Sequence, residues 1–404
     1  VMSINRVLKF SSLIFSFILI YYLLSTGEVY NYLVPEDNKS ELGLFRDWIV
    51  TLNDIYCQSS NKNGCRPFQY GPILLYLPFN DILKDFYYNQ FPILLIILFI
   101  FFLFLILKNN KYDFVLIPLI IFCPTTLLAI ERGNIDLLLF LIAVLICLNK
   151  YFYLSCMLVG WSFLVKYYPI TFFANLFTYT NKKSLIHLKV VIFSLLIISL
   201  IFIFIKKQIL FDFIDNASAS KAGFHLLFSA KAHAKFFKYS FKFNYIFLIA
   251  FTYIIFFISS IYLYKYFIKR NSFKSLSITN VQEKLFLIGV NTSIFNYLLF
   301  SNYYYREIFL ILSLPLIMKL ISNTNFKIFK IILSLVYIRY FFLYIYNYFI
   351  LNENFYYIDG VRTFYNSFLV VYFTKASFDF LFMIFLTSIL FFLNLKIIRL
   401  IFKN

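Results

Sequence analysis

Glu131-Arg132-Gly133-Asn134-Ile135-Asp136 interrupts one of the most apolar regions of a very apolar chain. Asp113 to Ile130 lies on its left and Leu137 to Leu148 on its right, both greasy enough to sit in lipid. Three ionisable side chains within these six residues are very costly at mid-bilayer, so they must face water, protein or a polar ligand. Read alone, the stretch is a hydrophilic turn between two membrane helices. The rest of the chain gives it a chemical reading.

The 404 residues are 62% hydrophobic and 23% aromatic, with a mean hydropathy of +0.81. Those values exclude an ordinary soluble domain and predict an all-α, polytopic transmembrane helical bundle, residues 1–404 forming one domain. The net charge of +19 reads as Lys and Arg flanking spans and meeting anionic head groups, with no nucleic-acid partner implied. There is no Walker loop, GxGxxG or HExxH, and only nine glycines, so neither a nucleotide cradle nor a metal or other cofactor is indicated.

About twelve spans of roughly 20 residues are expected. They run Val7–Leu24, Phe91–Leu107, Asp113–Ile130, Asn134–Leu148, Tyr151–Val165, Tyr168–Tyr179, Leu188–Ile205, Asn244–Tyr266, Leu285–Phe300, Glu307–Ile321, Ile328–Phe349 and Phe378–Ile401. Val7–Leu24 reads as an anchor, with no small-residue cleavage site after it. Tyr168–Tyr179 is too short to cross at full thickness and reads as tilted, re-entrant or part of a broken helix. Residues 25–90 form a first extracytoplasmic loop, in which Leu42, Phe45, Trp48, Ile49, Leu52, Ile55 and Tyr56 recur at helical spacing. That is an amphipathic surface helix.

The positive-inside rule places both termini in the cytoplasm of a multi-pass bacterial inner-membrane protein. Lysine-rich short turns then fall on one side. Asp47, the Glu131–Asp136 stretch, Lys166, His225, Arg306, Asp359 and Arg362 fall on the other. The outer loop 206–243 breaks the charge rule with seven lysines, but long loops translocate largely regardless of charge. Such a loop suits an anionic ligand such as a lipid phosphate. Cys57 and Cys65 share the first loop and would close a short ring on an oxidising face; bonded and free thiols both stay open.

Asp47 and Asp54 stand seven positions apart on the expected surface helix and share a face, so either carboxylate suits a general base toward a hydroxyl. Arg132, Lys166 and Arg306 offer positive charge at head-group depth for phosphate oxygens. Glu131, Asn134 and Asp136 orient those cations or sugar hydroxyls, and His225 offers proton transfer or a phosphate contact. Against each stands a plainer role: a wet-side charge for the aspartates, snorkelling for Lys166, an Arg132–Glu131 or Arg306–Glu307 pair, and a solvated loop histidine.

Glu131-Arg132-Gly133-Asn134-x-Asp136, followed about thirty residues later by Gly160…Lys166-Tyr-Tyr-Pro169, resembles the bacterial family-87 glycosyltransferases, polyprenyl-phosphate-mannose-dependent enzymes of the GT-C superfamily. Arg46-Asp47-Trp48 and Phe68-Gln69-Tyr70-Gly71-Pro72 are similar to that family's first-loop pattern, with Gly71 replacing a proline, and Asn302-Tyr-Tyr-Tyr-Arg306 resembles its late Tyr-Arg element. The likeness covers the first 180 residues best. It implies an integral-membrane hexosyltransferase that moves a sugar, mannose favoured, from a polyprenyl-phosphate donor to a lipid or glycan acceptor at the extracytoplasmic face, with inversion. It further implies that Asp47 meets the acceptor hydroxyl and that basic residues hold the donor phosphate. A membrane polysaccharide polymerase or ligase, and a flippase of lipid-linked sugars, are the rival classes.

Overall fold

The computed structural model describes residues 45–59, 86–107, 113–166, 168–179, 244–269, 280–299, 302–323, 336–346 and 366–403. Short pieces at 227–230, 233–234, 356–358 and 361–363 and isolated positions at 11–22, 74, 276 and 334 complete the set. The expected span Leu188–Ile205 lies outside it, as do Phe68–Pro72, Cys65 and His225.

In chain order the helices are α1 (Arg46–Ser59), α2 (Phe91–Leu107) entered through a π turn at Phe86–Gln90, α3 (Asp113–Ile121), α4 (Pro124–Glu131), α5 (Ile135–Leu148) and α6 (Phe152–Val165). A 3₁₀ helix follows at Tyr168–Thr178, then α7 (Tyr245–Lys269), α8 (Val281–Leu299), a second 3₁₀ helix at Tyr304–Ser313, α9 (Leu314–Asn323) and α10 (Asn366–Lys403). A further helical run occupies 336–346. Two short antiparallel ladders are added: β1 (Leu227–Phe228) pairs with β2 (Asn302–Tyr303), and β3 (Tyr356–Ile358) with β4 (Val361–Thr363).

Among the described residues, three helices are long and apolar enough to cross a membrane: Phe86–Leu107, Tyr245–Lys269 and Val370–Arg399. Their surfaces fit that reading. α7 exposes Ile246, Phe247, Phe251, Ile254, Phe257, Ile258 and Ile261 along its length, the composition that acyl chains rather than water would meet. α5 and α6 are equally apolar but shorter.

Several expected spans are composite, and proline explains two of them. Asp113–Ile130 is split because Pro124 has no N–H to give and biases the residue before it away from helix. Cys123 is accordingly extended at φ −57°, ψ 135°, and α4 restarts with Pro124 in its first turn. Glu307–Ile321 is divided between the second 3₁₀ helix and α9, with Pro315 just inside the α-helical half. At the carboxyl end the helix begins at Asn366, not Phe378, because Lys375 and Asp379 are paired inside the bundle and do not end the element.

α5, α6 and the first 3₁₀ helix form an antiparallel trio. At one end Asp136, Lys166 and Tyr168 meet. At the other, Ser155 Oγ and the Tyr179 hydroxyl are 2.6 Å apart, and the Tyr179 hydroxyl donates to the Asn149 carbonyl at 3.1 Å. Fourteen α-helical residues span about 21 Å. Eleven 3₁₀ residues at about 2.0 Å each span about 22 Å, so the shorter element keeps pace.

α8 runs through the middle of the bundle, burying Leu285, Phe286, Leu287, Ile288 and Val290. Its Gly289 is where the second 3₁₀ helix comes closest. A Cβ there would lie 2.6 Å from both the Leu312 Cβ and the Phe309 carbonyl oxygen. Thr292 and Thr171 hydroxyls, 2.7 Å apart, tie α8 to the first 3₁₀ helix.

Candidate functional site

The turn Glu131–Asp136 is built as a helix stop followed at once by a helix start. Glu131 ends α4, Arg132 is its C-cap and Gly133 takes φ +54°, the left-handed conformation favoured by glycine. The Gly133 N–H donates to the Ile130 carbonyl and the Asn134 N–H to the Ala129 carbonyl at 3.0 and 3.1 Å, the paired bonds of a Schellman motif. Asn134 then caps α5, accepting from the Asp136 N–H at 3.0 Å, a contact worth about 1 kcal/mol. Asp136 sits in the first turn, where a negative charge complements the helix dipole. Gly133 and Asn134 thus do backbone work, leaving Glu131, Arg132 and Asp136 for chemistry.

Asp136 is fully buried, yet three separate segments converge on it. Lys166 Nζ donates to its Oδ1, the Tyr168 hydroxyl donates to the same oxygen at 2.6 Å, and Arg306 Nε stands 3.5 Å from Oδ2. Lys166 reaches inward because α6 ends there: the residue is extended at φ −152°, ψ 153°, and Pro169 follows three positions on. Arg306 is the third residue of the second 3₁₀ helix, in which positions three apart eclipse, so it shares a row with Phe309. Phe309 packs edge-on against Tyr168 with centroids 5.6 Å apart. Lys166 and Arg306 also lie 5.5 and 5.3 Å from the centroid of the Tyr168 ring.

Two cations thus face the Asp136 carboxylate. At 5% exposure on Lys166 and 13% on Arg306 such charges are expensive to hold unless they are paired, and Asp136 gives each a partner. Beside it, Glu131 is fully buried and pairs with Arg132 Nε at 3.1 Å, so the plainer reading of that neighbouring pair holds. The plainer reading of Arg306 does not: it goes to Asp136, while Glu307 goes to Arg339.

α1 is fastened to the same turn. The Phe45 N–H donates to the Glu131 carbonyl at 2.7 Å and the Trp48 N–H to the Arg132 carbonyl at 3.3 Å. Phe45 itself has φ 61°, unusual for a bulky residue, and its side chain covers the face of Gly133. Trp48, Thr51, Leu52 and Ile55 form the buried stripe of α1, so the expected amphipathic helix is present. Trp48 also donates its indole N–H to the Tyr87 carbonyl at 2.8 Å. Asp47 lies in the first turn of this helix, next to the residues that hold it to the turn, and Asp54 is half-buried farther along. Cys57 is disulfide-bonded, whereas Cys123, Cys147 and Cys156 are free thiols.

A second ionic cluster was not anticipated from sequence. Arg339 bridges Glu307 and Asp379, reaching the latter at 2.9 Å, and Lys375 contacts Asp379 at 2.7 Å and Glu307 at 3.6 Å. All four are buried, and two cations meet two carboxylates. Lys375 and Asp379 lie within the apolar Val370–Arg399 segment, and neither they nor Arg339 were among the candidate residues. The signal was available: Arg339 is the only charged residue between Lys330 and Glu353, and an isolated arginine inside an apolar run needs a partner. Tyr168 was likewise passed over, being one of 34 tyrosines.

His233, from the basic loop, is buried against this second cluster, and its Nδ1 lies 3.0 Å from the Tyr372 hydroxyl. Burial, assisted by the nearby Lys375 charge, pushes its imidazole down to about 4, so the ring is neutral at pH 7. The loop is also pinned by β1, whose Leu227 and Phe228 pair with Tyr303 and Asn302 just ahead of Arg306. No group of three or more metal-ligating side chains occurs among the described residues. No protein-family profile, curated protein or solved structure matches this chain.

Proposed function

We propose that this protein is a multi-pass membrane glycosyltransferase that takes a hexose, mannose favoured, from a polyprenyl-phosphate carrier and passes it to a lipid or glycan acceptor at the extracytoplasmic face. One observation carries the reading. Lys166 and Arg306, from distant parts of the chain, converge on the Asp136 carboxylate. The turn that supplies Asp136 also holds α1, and with it Asp47.

The chemistry follows from charge. The acceptor hydroxyl attacks the anomeric carbon, its proton passes to the Asp47 carboxylate, and the bond from that carbon to the phosphate oxygen breaks. The phosphodiester carries one negative charge and the departing polyprenyl monophosphate gains a second. Fixed cations aimed at that oxygen stabilise the developing charge more than the starting state, which is the condition for catalysis. Attack from the face opposite the leaving phosphate inverts the centre. No nucleotide or metal is needed.

The flippase alternative draws on the buried Glu307–Arg339–Lys375–Asp379 set, since transport needs polar groups inside the bilayer. That set is charge-balanced and each member is paired within it, which suits a fastening better than a carrier site. The deciding experiment offers the purified protein in nanodiscs polyprenyl-phosphate mannose, glucose or arabinose with membrane extract as acceptor. Transfer from one of these, reduced at least 100-fold by Lys166→Gln and by Asp47→Asn, is expected for groups acting in the transition state. Activity with a nucleotide sugar alone, or full activity in Asp47→Asn, would overturn the assignment.

A further inference from the structure

The basic loop meets the bundle at two points that belong to one short unit. Leu227 and Phe228 pair with Tyr303 and Asn302, and the His233 N–H donates to the Ser229 carbonyl at 3.2 Å, which ties the end of that strand to the histidine. Ser229, Ala230, His233 and Ala234 are all buried. The His233 ring enters between α8 and α10, with its centroid 5.8 Å from those of Tyr297 and Tyr372 and its Nδ1 against the Tyr372 hydroxyl. Lys375 and Asp379 lie near it on α10, and these are themselves paired with Glu307 and Arg339.

We propose that residues 227–230 and 233–234 form an acid-released strap: protonation of His233 withdraws its ring from the bundle and frees the ladder to Asn302 and Tyr303, just ahead of Arg306. The surroundings have no place for an imidazolium. Glu307, Arg339, Lys375 and Asp379 are two of each sign and paired with one another, so no carboxylate is left over for a further cation. His233 Nε2 has no hydrogen-bond partner among the described residues, so a doubly protonated ring would bury an N–H with nothing to accept it. The neutral ring avoids that cost by keeping its one proton on Nδ1, toward the Tyr372 hydroxyl. Arg306 follows the ladder on the same segment and reaches Asp136, so acidity outside the bundle is relayed to that cluster. The strap goes beyond the proposed function and holds whatever the protein transfers.

The experiment is hydrogen–deuterium exchange on the full chain in nanodiscs from about pH 7 to about pH 3, each peptide corrected for its intrinsic exchange rate at that pH. Peptides carrying 227–230, 233–234 and 302–306 are followed against those from the interior of α8. His233→Gln and His233→Phe supply side chains that do not titrate. The released ring binds a proton more tightly than the buried one, so acid favours the open form. With about 4 for the buried ring and 6.5 for the released one, opening should increase about 20-fold from pH 7 to pH 5 and about 100-fold from pH 7 to pH 4, flattening near pH 3.

In wild type the strap and 302–306 peptides should lose protection together along that curve while α8 is unchanged, and both variants should be indifferent to acid. An equal acid-driven loss in the two variants, or a loss seen only when α8 opens as well, overturns the switch. Opening at 227–230 and 233–234 with 302–306 unmoved overturns the relay toward Arg306. If both variants are already loose at pH 7, the wild-type curve decides. A rise between pH 6 and pH 4 is the histidine's, whereas one that begins only below pH 4 belongs to buried carboxylates and refutes the role of His233.

Discussion

Replacing Asp136 by Asn removes one charge and almost no volume, so it isolates the electrostatics of the candidate site. Asn keeps an oxygen for the Tyr168 hydroxyl and Lys166 but turns an N–H₂ group toward Arg306, or the reverse after a flip. At 3.5 Å and an effective dielectric near 20, the Arg306–Asp136 attraction amounts to about 5 kcal/mol, and Lys166 is closer still. Against this stands the cost of burying the carboxylate, which the variant no longer bears. The measured outcome of removing one member of a buried pair is a net loss of about 3–5 kcal/mol. Unfolding in mixed micelles by sodium dodecyl sulfate, followed by tryptophan fluorescence, reads it directly. Lys166→Met and the double variant complete a thermodynamic cycle, and a coupling of at least about 1.5 kcal/mol is expected for groups in direct contact. A loss below about 1 kcal/mol for Asp136→Asn, or strict additivity, would refute the idea that this carboxylate gathers the two cations.

Other predictions test separate parts of the molecule. Gly289→Ala places a methyl group 2.6 Å from backbone oxygen that cannot rotate away, so it should cost about 1–3 kcal/mol in the same unfolding assay; a neutral result would mean α8 and the second 3₁₀ helix are not in such close contact. His233 binds its proton less readily when folded, about 4 against about 6.5 unfolded, so its contribution is complete above pH 6.5 and lost as pH falls toward 4. That amounts to about 3 kcal/mol, and His233→Gln should flatten the stability profile over that window; a profile identical to wild type would exclude the buried neutral ring. Cys57, once reduced in whole cells, should react with a membrane-impermeant maleimide applied from outside, and labelling only after lysis would place α1 on the wrong face.

Much of the helical layout was readable from hydropathy. The edges of Phe91–Leu107 coincide with those expected, and Asn134–Leu148 and Tyr151–Val165 differ only in that Asn134 and Tyr151 are caps. Asp136, Lys166 and Arg306 were all named from sequence as outer-face residues, but hydropathy could not say that the two cations would meet a fully buried Asp136. The break before Pro124 was missed because apolar composition runs through it unchanged, although a proline at that spacing carries the information. Tyr168 was missed because nothing in composition separates a structural tyrosine from one whose hydroxyl meets a buried carboxylate. Arg339 was missed because its carboxylate partners Glu307 and Asp379 lie 32 and 40 positions away along the chain. Pairing at that range is a property of the fold.

The first 3₁₀ helix acts as a ruler whose graduations are wider than those of its neighbours. Rewound as an α-helix, its eleven residues would shorten by about 5–6 Å. With Tyr179 fastened at the far end, that retreat is about twice the reach of the bond between the Tyr168 hydroxyl and Asp136. The stretched winding and the phenol's grip on the carboxylate therefore stand or fall together, and a deletion of one residue between Pro169 and Thr178 should disconnect the two ends of the trio.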